Sequence, residues 1–136
     1  MKAECLELLG DIENLDSIKN YPEAIKLYIK SAKKKPDVAH IYIKLGKTHE
    51  KMREFDEAIT YIKKALRRDK DCFAAHYRLG VCFIRNNQRQ EGIDSLKTAL
   101  SLKPNDIDTL TKLSEIYFSK ENKIDLAAKL MKKVIQ

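Results

Sequence analysis

The sequence of 136 residues has no tryptophan, only four glycines and three prolines, and no long apolar segment. With 43% apolar and 35% charged residues, this scarcity of glycine and proline excludes fibrous and disordered proteins and favours a helix-rich globular domain. Residues 1–11 carry charged side chains among their leucines, unlike a signal peptide, and no later stretch reaches membrane-spanning length. We expect one soluble, non-secreted domain over residues 1–136, in the cytoplasm or, alternatively, the nucleus.

The number of cysteines and the net charge indicate the redox environment of the chain and the kind of partner it favours. The three cysteines cannot all pair with one another, and a helical core of this size needs no disulfide, so reduced thiols are expected. A formal net charge of +7 favours acidic partners in general and leaves nucleic acid open.

The sequence repeats at a period of 34 residues, which is typical of stacked helical units. Within each unit one set of apolar residues is spaced i, i+1, i+4, i+7 and i+8, and a second set is spaced i, i+3 and i+4, so each unit contains two amphipathic helices. The main aligned columns are Ala24, Ala58 and Gly92; Ile25, Ile59 and Ile93; Tyr28, Ile62 and Leu96; Leu45, Leu79 and Leu113; and Gly46, Gly80 and Ser114.

Turn residues separate the two sets. Pro36 and Pro104 lie two periods apart, and Asp37, Asp71 and Asn105 follow the equivalent positions, where each is suited to capping a new helix. No alternating strand pattern persists. The pattern predicts an all-α chain with helices near residues 3–17, 21–34, 38–52, 55–69, 72–86, 89–102, 106–119 and 123–135.

These columns resemble the tetratricopeptide repeat family, in which a Leu-Gly pair marks the first helix of each unit and an aromatic with two alanines marks the second. The clearest unit contains Leu45, Gly46, Phe55, Ala58 and Ala65. The resemblance implies an α-solenoid, a right-handed superhelix of about four helix hairpins, with units near residues 3–36, 37–70, 71–104 and 105–136. It also implies a non-enzymatic scaffold or adaptor that binds another protein or peptide.

The two ends depart from the pattern. Leu9 and Gly10 lie two residues too early, so the first unit is expected to be irregular, with a longer loop or a non-repeat capping helix. In the last helix, Ile124, Ala127, Ala128, Met131, Val134 and Ile135 are expected to form a buried stripe. Leu126 and Leu130 would add a second apolar edge, predicted to be covered by another copy, by a partner subunit, or by further repeats if the chain is part of a longer array.

The resemblance implies that the first helices line a concave groove in which ligands lie. Stepping two residues from a core position turns about 200° around a helix, which points Tyr42 and Leu45 inward and Lys44 and Thr48 outward. The shift of 34 residues then gives a basic column of Lys44, Arg78 and Lys112, suited to an acidic peptide or a terminal carboxylate. The peptide-binding residues predicted for the groove are Lys44, Lys47, Lys51, Arg78, Arg85 and Lys112, with Tyr77 and His40 beside them.

Two alternatives accompany this prediction. Because 27 of the 136 residues are Lys or Arg, a basic column can arise by chance and be only a solvated face. Nucleic acid is the rival ligand class, and its candidate site is the basic run Lys63, Lys64, Arg67, Arg68 and Lys70. This alternative is less favoured because these cations lie at the end of a helix, where they also complement the helix dipole.

A chaperone-tail clamp is also disfavoured. Some family members hold the carboxyl end of chaperone tails with a Lys, Asn, Asn, Lys and Arg set. Those positions would fall on Ile43, Lys47, Arg78, Asp108 and Lys112, of which only Lys112 keeps a comparable charge.

Catalysis has no support in the motifs. No nucleophile arrangement or phosphate-binding glycine loop occurs, so we expect no enzyme activity and no cofactor. Cys72 and His76 lie four residues apart, but His76 shares a core column with Tyr42 and Leu110. We therefore expect a packed, hydrogen-bonded histidine and no metal site.

Overall fold

The computed structural model describes residues 1–15, 17–119 and 124–135. In these ranges the chain is helical and contains no strand. None of the described helices is long and apolar enough to cross a bilayer. The helices are α1 (Ala3–Glu13), α2 (Tyr21–Lys34), α3 (Ala39–Lys51), α4 (Phe55–Arg68), α5 (Phe73–Arg85), α6 (Arg89–Leu102), α7 (Ile107–Ser119) and α8 (Ile124–Val134).

The helices pair into four hairpins that stack in chain order. The closest packing joins α1 with α2, α3 with α4, α5 with α6, and α7 with α8. Each second helix then packs on the first helix of the next hairpin, and the first helices α3 and α5 also contact each other. This arrangement confirms the predicted all-α solenoid of four hairpins.

Recurring glycines allow the two helices of a hairpin to approach closely. A Cβ atom added to Gly46 would lie 2.5 Å from Cγ1 of Ile62, and one added to Gly80 would lie 2.6 Å from Cγ of Leu96. Neither neighbour can move freely, because both side chains are fully buried in close-packed surroundings. The glycines are therefore packing positions and not hinges.

The first hairpin follows the same rule, which corrects the expectation that its leading helix could be a non-repeat cap. Gly10 is buried, and a Cβ atom there would lie 2.7 Å from Cε1 of Tyr28. The irregularity lies in the connection, because α1 ends at Glu13 and α2 begins only at Tyr21. The extra residues in this loop displace Leu9 and Gly10 in the repeat, although Gly10 keeps the same contact.

The turns inside the second and third hairpins have the same backbone conformation. Arg53 and Asn87, 34 residues apart, both have φ of 62°, in the left-handed region. The next residue in each turn closes it in the same way: the N–H of Glu54 donates to the carbonyl of His49 at 2.9 Å, and that of Gln88 donates to Phe83 at 2.8 Å. The 34-residue repeat is therefore present in the backbone hydrogen bonds of these turns as well as in the side chains.

The predicted helix caps were wrong. The residues preceding α3 and α5 are Val38 and Cys72, and neither makes a side-chain capping bond. Before α7 the cap is Asp106, whose Oδ2 accepts a hydrogen bond from the N–H of Thr109 at 3.0 Å. Asp37, Asp71 and Asn105 each lie one residue too early, because the turn after the proline position is one residue longer than expected.

The core divides into two clusters of buried apolar residues. The larger cluster extends from α2 to α5, and the smaller one joins α6, α7 and α8. Of the three junctions between hairpins, the one between α6 and α7 is the most open. This junction borders the candidate site described next.

Candidate functional site

The first helices α1, α3, α5 and α7 form one side of the stack, which we call the first-helix face. Ion pairs bridge these helices. On the N-terminal half, Nζ of Lys44 lies 2.6 Å from Oε1 of Glu7 and 2.9 Å from Oδ2 of Asp11, and Nε2 of His40 lies 2.9 Å from Oε1 of Glu7. Lys44 and His40 therefore contact carboxylates of α1.

These contacts change the acidity of both partners. Burial has the largest single effect on Glu7 and would raise its pKa, but hydrogen bonds from Lys44 and His40 outweigh it and hold the pKa below the ordinary value of 4.5. Burial likewise would lower the pKa of Lys44, but Glu7 and Asp11 together raise it above 10.5. Both groups are thus held in their charged forms at neutral pH.

The pairing of Glu7 makes part of the stability depend on pH. Folding lowers the pKa of Glu7, so the ionised carboxylate stabilises the fold above about pH 4.5. This stabilisation is lost as the pH falls through the pKa of Glu7 in the folded state. We expect Glu7→Gln to lower the free energy of unfolding by about 1 kcal/mol at neutral pH. The difference from wild type should shrink as denaturation is repeated toward about pH 3. An undiminished difference in acid would contradict this account.

A second acidic residue occupies the middle of the first-helix face. Glu50 of α3 is only 7% exposed, and its Oε1 lies 3.3 Å from Nη1 of Arg78 and 3.1 Å from Nη1 of Arg85. The Sγ–H of Cys82 donates to its Oε2 at 3.3 Å. Burial, followed by the charge of Glu50, raises the pKa of the Cys82 thiol, so this thiol stays protonated. We call Glu50, Arg78, Cys82 and Arg85 the Glu50 cluster.

Much of the predicted basic ladder is therefore paired within the molecule. Lys44 contacts α1, and Arg78 and Arg85 contact Glu50. The sequence interpretation missed Glu7, Asp11 and Glu50, which supply these partners. Whether the three cations bind a peptide stays a prediction.

Two of the other predicted residues, Lys47 and Lys112, keep unmatched charge. Among the described residues, neither Lys47 nor Lys112 makes an ion pair with a carboxylate. Burial, then the nearby charge of Arg78, lowers the pKa of Lys47. Lys51 lies with Nζ 5.8 Å from the centroid of the Tyr21 ring.

Tyr77 is half-buried on the same face. Its ring stacks on Phe73 at 6.2 Å between centroids, and the guanidinium of Arg78 lies 5.7 Å from its centroid. Burial, then the charge of Asp108, raises the pKa of the phenol. Tyr77 is therefore part of a packed aromatic and cationic group.

The predicted outward position of Thr48 was wrong. Thr48 is fully buried, and its hydroxyl donates to the carbonyl of Lys44 at 2.8 Å. The helix α3 is covered on more than one side, since it packs on α2, α4 and α5. A rotation of two residues from the core column therefore does not always reach solvent.

A cavity of about 230 Å³ opens where α5, α6 and α7 meet. Its apolar lining comes from all three helices, and Arg85, Lys112 and Glu115 are the charged residues at its wall. The cavity lies at the junction where α7 packs less closely on α6 than the other first helices do on their preceding neighbours. The lining residues are Val81, Ile84, Arg85, Leu96, Lys112, Glu115 and Ile116.

His76 is a structural residue. Its Nε2 donates to the carbonyl of Lys70 at 2.8 Å, and the equivalent Tyr42 donates its hydroxyl to the carbonyl of Pro36 at 3.1 Å. The hydrogen bond agrees with the expected hydrogen-bonded histidine, but His76 is only half-buried, whereas Tyr42 and Leu110 of its column are buried. No group of three potential metal ligands occurs among the residues that the structure describes.

The basic run at the end of α4 is partly engaged in intramolecular contacts. Nε of Arg68 donates to the carbonyl of Pro36 at 2.6 Å, and its guanidinium lies 4.3 Å from the centroid of the Tyr42 ring. Lys63 and Lys64 lie over the rings of Phe83 and Tyr61, respectively. These contacts give the run a structural role independent of nucleic acid.

The last helix differs from its prediction. Of the expected buried stripe only Ala127 is buried, whereas Ile124, Ala128, Met131 and Ile135 are exposed. Among the described residues no helix follows α8 to cover them. Of the predicted assembly edge, Leu126 is exposed and Leu130 packs partly on the core of α6 to α8.

Comparison with known proteins identifies the repeat. Residues 43–107 match the sequence model of the tetratricopeptide repeat. Anaphase-promoting complex subunit 7 of Mus musculus is 27% identical over 114 residues, which cover 84% of this chain and 20% of that protein. The chain thus spans only about a fifth of this curated relative.

Solved structures share the fold along nearly the whole chain. MamA superposes with a TM-score of 0.88 at 23% identity, covering 98% of this chain and 76% of that one. The first TPR of Spaghetti (RPAP3), solved with the HSP90 peptide SRMEEVD, gives a TM-score of 0.80 at 20% identity, covering 87% of this chain and 92% of that one. Together with the 34-residue period and the glycine contacts, these matches show a chain with the tetratricopeptide repeat fold, of which residues 43–107 carry the sequence pattern of that repeat.

Proposed function

We propose that the chain is a non-enzymatic scaffold that binds a segment of another protein on the first-helix face, at the cavity between α5, α6 and α7. That cavity is the observation that supports the proposal best. Its apolar wall, which includes Val81 and Ile116, can take an apolar side chain, and Lys112 lies beside it with no carboxylate partner in the described chain.

The charges on this face favour an acidic segment. Glu50 already neutralises part of the positive charge of Arg78 and Arg85. The unmatched positive charge on this face is therefore concentrated on Lys47 and Lys112. A ligand carboxylate would form charge-assisted hydrogen bonds with these lysines while a neighbouring apolar side chain fills the cavity. The peptide SRMEEVD bound by the RPAP3 domain combines the same two chemistries, with acidic residues beside methionine and valine.

Selection from a random peptide display library tests this proposal without a known partner. Peptides enriched on the wild-type chain should carry Asp or Glu next to an apolar residue. Lys47→Glu/Lys112→Glu should weaken their binding about a hundredfold or more, because each of the two lost charge-assisted contacts contributes about 1.5–3 kcal/mol. Fluorescence anisotropy with one labelled, enriched peptide measures the change.

The control variant changes the same kind of charge elsewhere. Lys97 is exposed on the second helix α6 and does not line the cavity, so Lys97→Glu should bind the peptide as the wild type does. Failure to enrich acidic peptides, or equal weakening by both variants, would argue against the proposed site. Salt-sensitive, submicromolar binding of an RNA oligomer would instead favour the nucleic-acid alternative.

A further inference from the structure

A further cavity, of about 250 Å³, opens where the second helices α2 and α4 meet α3. Its apolar lining includes Ile29 and Ala32 of α2 and Leu45 of α3. Because a cavity of about 150 Å³ is already enough to hold benzene, this one can hold an aromatic or a branched side chain. It shares no lining residue with the cavity between α5, α6 and α7. We call it the α2–α4 cavity.

The α2–α4 cavity lies where the chain departs from its own repeat. Ala32 belongs to a column that continues with Leu66 and Leu100, and both of these leucines pack against the core clusters. Ala32 therefore has the smallest side chain of its column. Tyr61 also lines the cavity, whereas the equivalent residue of α6 is Ser95. The residues that shape this cavity are thus particular to it and are not repeated along the chain.

Two lysines, one from each second helix, line the same cavity. Lys33 of α2 is exposed and Lys64 of α4 is half-buried. Neither makes an ion pair with a carboxylate in the part of the chain that the structure describes. Nζ of Lys64 lies 5.1 Å from the centroid of the Tyr61 ring, which keeps this ammonium group beside the cavity. The α2–α4 cavity therefore combines an apolar lining with two cations whose charge is unmatched.

The helices that border the cavity are strongly basic. Residues 24–36 carry five lysines and no acidic residue, and residues 58–68 carry four basic residues and no acidic one. The equivalent stretch of α6, residues 92–102, carries one lysine and one aspartate. Of the five lysines only Lys35 forms an ion pair, with Glu4. Positive charge is therefore concentrated on α2 and α4, and it favours an anionic ligand at the cavity between them.

The tyrosines of the cavity distinguish between two kinds of anionic ligand. Single-stranded nucleic acid binds by stacking its bases on aromatic side chains. The Tyr61 ring already stacks on His49 at 5.3 Å between centroids and also contacts Lys64. Tyr42 is only 7% exposed, and the guanidinium of Arg68 lies 4.3 Å from its ring centroid. Since both rings are occupied by groups of the chain itself, the cavity suits an apolar side chain of an acidic protein segment better than a base.

We propose that the α2–α4 cavity is a separate binding site for an acidic segment of a protein, which inserts one large apolar side chain between Lys33 and Lys64. The inserted side chain contacts the apolar lining, and acidic residues next to it form charge-assisted hydrogen bonds with the two ammonium groups. This site has no residue in common with the site of Lys47 and Lys112. The chain can therefore hold two segments at once, and the inference does not depend on the site proposed on the first-helix face.

Two variants test the shape and the charge of this site separately. Ala32→Leu fills the cavity with the residue that the repeat itself uses in this column, and Lys33→Glu/Lys64→Glu reverses the charge at its wall. Peptides are selected from a random peptide display library on the Lys47→Glu/Lys112→Glu chain, so that the first-helix face does not contribute. The enriched peptides should carry an aromatic or branched apolar residue next to Asp or Glu.

Fluorescence anisotropy with one labelled, enriched peptide then measures binding to each variant. Lys33→Glu/Lys64→Glu should weaken binding about a hundredfold, because two charge-assisted contacts are lost. Ala32→Leu should weaken it about tenfold or more, because the apolar side chain of the peptide loses its place. The melting temperature of Ala32→Leu should equal or exceed that of the wild type, since leucine fills space within the fold. Lys26→Glu/Lys97→Glu makes the same change of net charge at exposed residues outside the cavity and should bind within about twofold of the wild type.

Three outcomes would overturn the proposal. The first is that the blocked chain enriches no acidic peptides, and the second is that the control double variant weakens binding as much as Lys33→Glu/Lys64→Glu does. The third is unchanged peptide binding by a folded Ala32→Leu variant, which would place the peptide on the basic surface outside the cavity. If circular dichroism shows that Ala32→Leu is unfolded, the smaller Ala32→Val replaces it. Submicromolar binding of an RNA oligomer that the lysine variant weakens and Ala32→Leu does not would assign this surface to nucleic acid instead.

Discussion

Replacing Gly46 with alanine should lower the free energy of unfolding by about 2 kcal/mol, because the new methyl group would overpack the hairpin. It would lie 2.5 Å from Cγ1 of Ile62, which is fully buried, and 3.3 Å from the carbonyl oxygen of Ala58. Alanine is the better helix former by about 1 kcal/mol, so propensity alone predicts the opposite sign. Urea denaturation followed by circular dichroism distinguishes the two.

A double-mutant cycle assigns the effect to the named contact. In an Ile62→Ala background the clash disappears, so adding Gly46→Ala should cost nothing or stabilise by up to about 1 kcal/mol. Ser114 occupies the same column in α7 and already carries a Cβ, so Ser114→Ala is the matched control with a smaller effect. A Gly46→Ala cost that is equal in both backgrounds would remove Ile62 as its cause.

Replacing Glu50 with alanine should lower the free energy of unfolding by about 2 kcal/mol. The change removes the carboxylate shared by Arg78 and Arg85 and the acceptor of the Cys82 thiol. Both arginines are partly exposed, so water can solvate them and the loss stays below that of a fully buried ion pair. Thermal and chemical denaturation measure it.

The neighbouring variants separate this role from a general effect of charge. Glu57→Ala removes an exposed glutamate of α4 and should change stability by less than about 0.5 kcal/mol. The double variant Arg78→Ala/Arg85→Ala should lower the free energy of unfolding by more than the sum of the two single variants. After either single change the other arginine still contacts Glu50. Strict additivity of the two arginine variants would show that they do not share the carboxylate.

The helices could be predicted from the sequence because each hairpin must bury the same apolar positions. Seven of the predicted helices agree with the structure to within about a residue at each end, a deviation that falls within the usual ambiguity of helix ends. The exception is α1, which ends at Glu13 where the pattern predicted residue 17. The longer loop before Tyr21 has no equivalent among the other turns that the structure describes, so periodicity carried no information about it.

The charged groups of the candidate site were harder to predict, because a column shows which residues are equivalent but not which side chains meet between hairpins. Lys44 and Arg78 share a column, yet their carboxylate partners come from different helices and different columns. One signal was available for Glu50. Its column continues with Ile84 and Phe118, and an acidic residue in an otherwise apolar column requires a cationic partner nearby.

The exposure of α8 could not be predicted from its own pattern. An amphipathic stripe predicts which side of a helix is apolar but not whether a further element covers it. Ala127 packs with buried residues of α6 and α7, whereas Ala128 and Met131 of the same apolar stripe are exposed.

The junction between α6 and α7 is the least closely packed of the three that join the hairpins, although one buried apolar cluster spans it. The hairpin of α7 and α8 is held to the remainder through the sparsest junction, and in a linear stack each unit is secured only by its neighbours. We therefore expect local opening to be easiest at the α6 and α7 boundary, beside the cavity lined by Val81 and Lys112. A ligand side chain in this cavity would contact both sides of the α6 and α7 junction. Binding would therefore stabilise the attachment of the last hairpin to the stack.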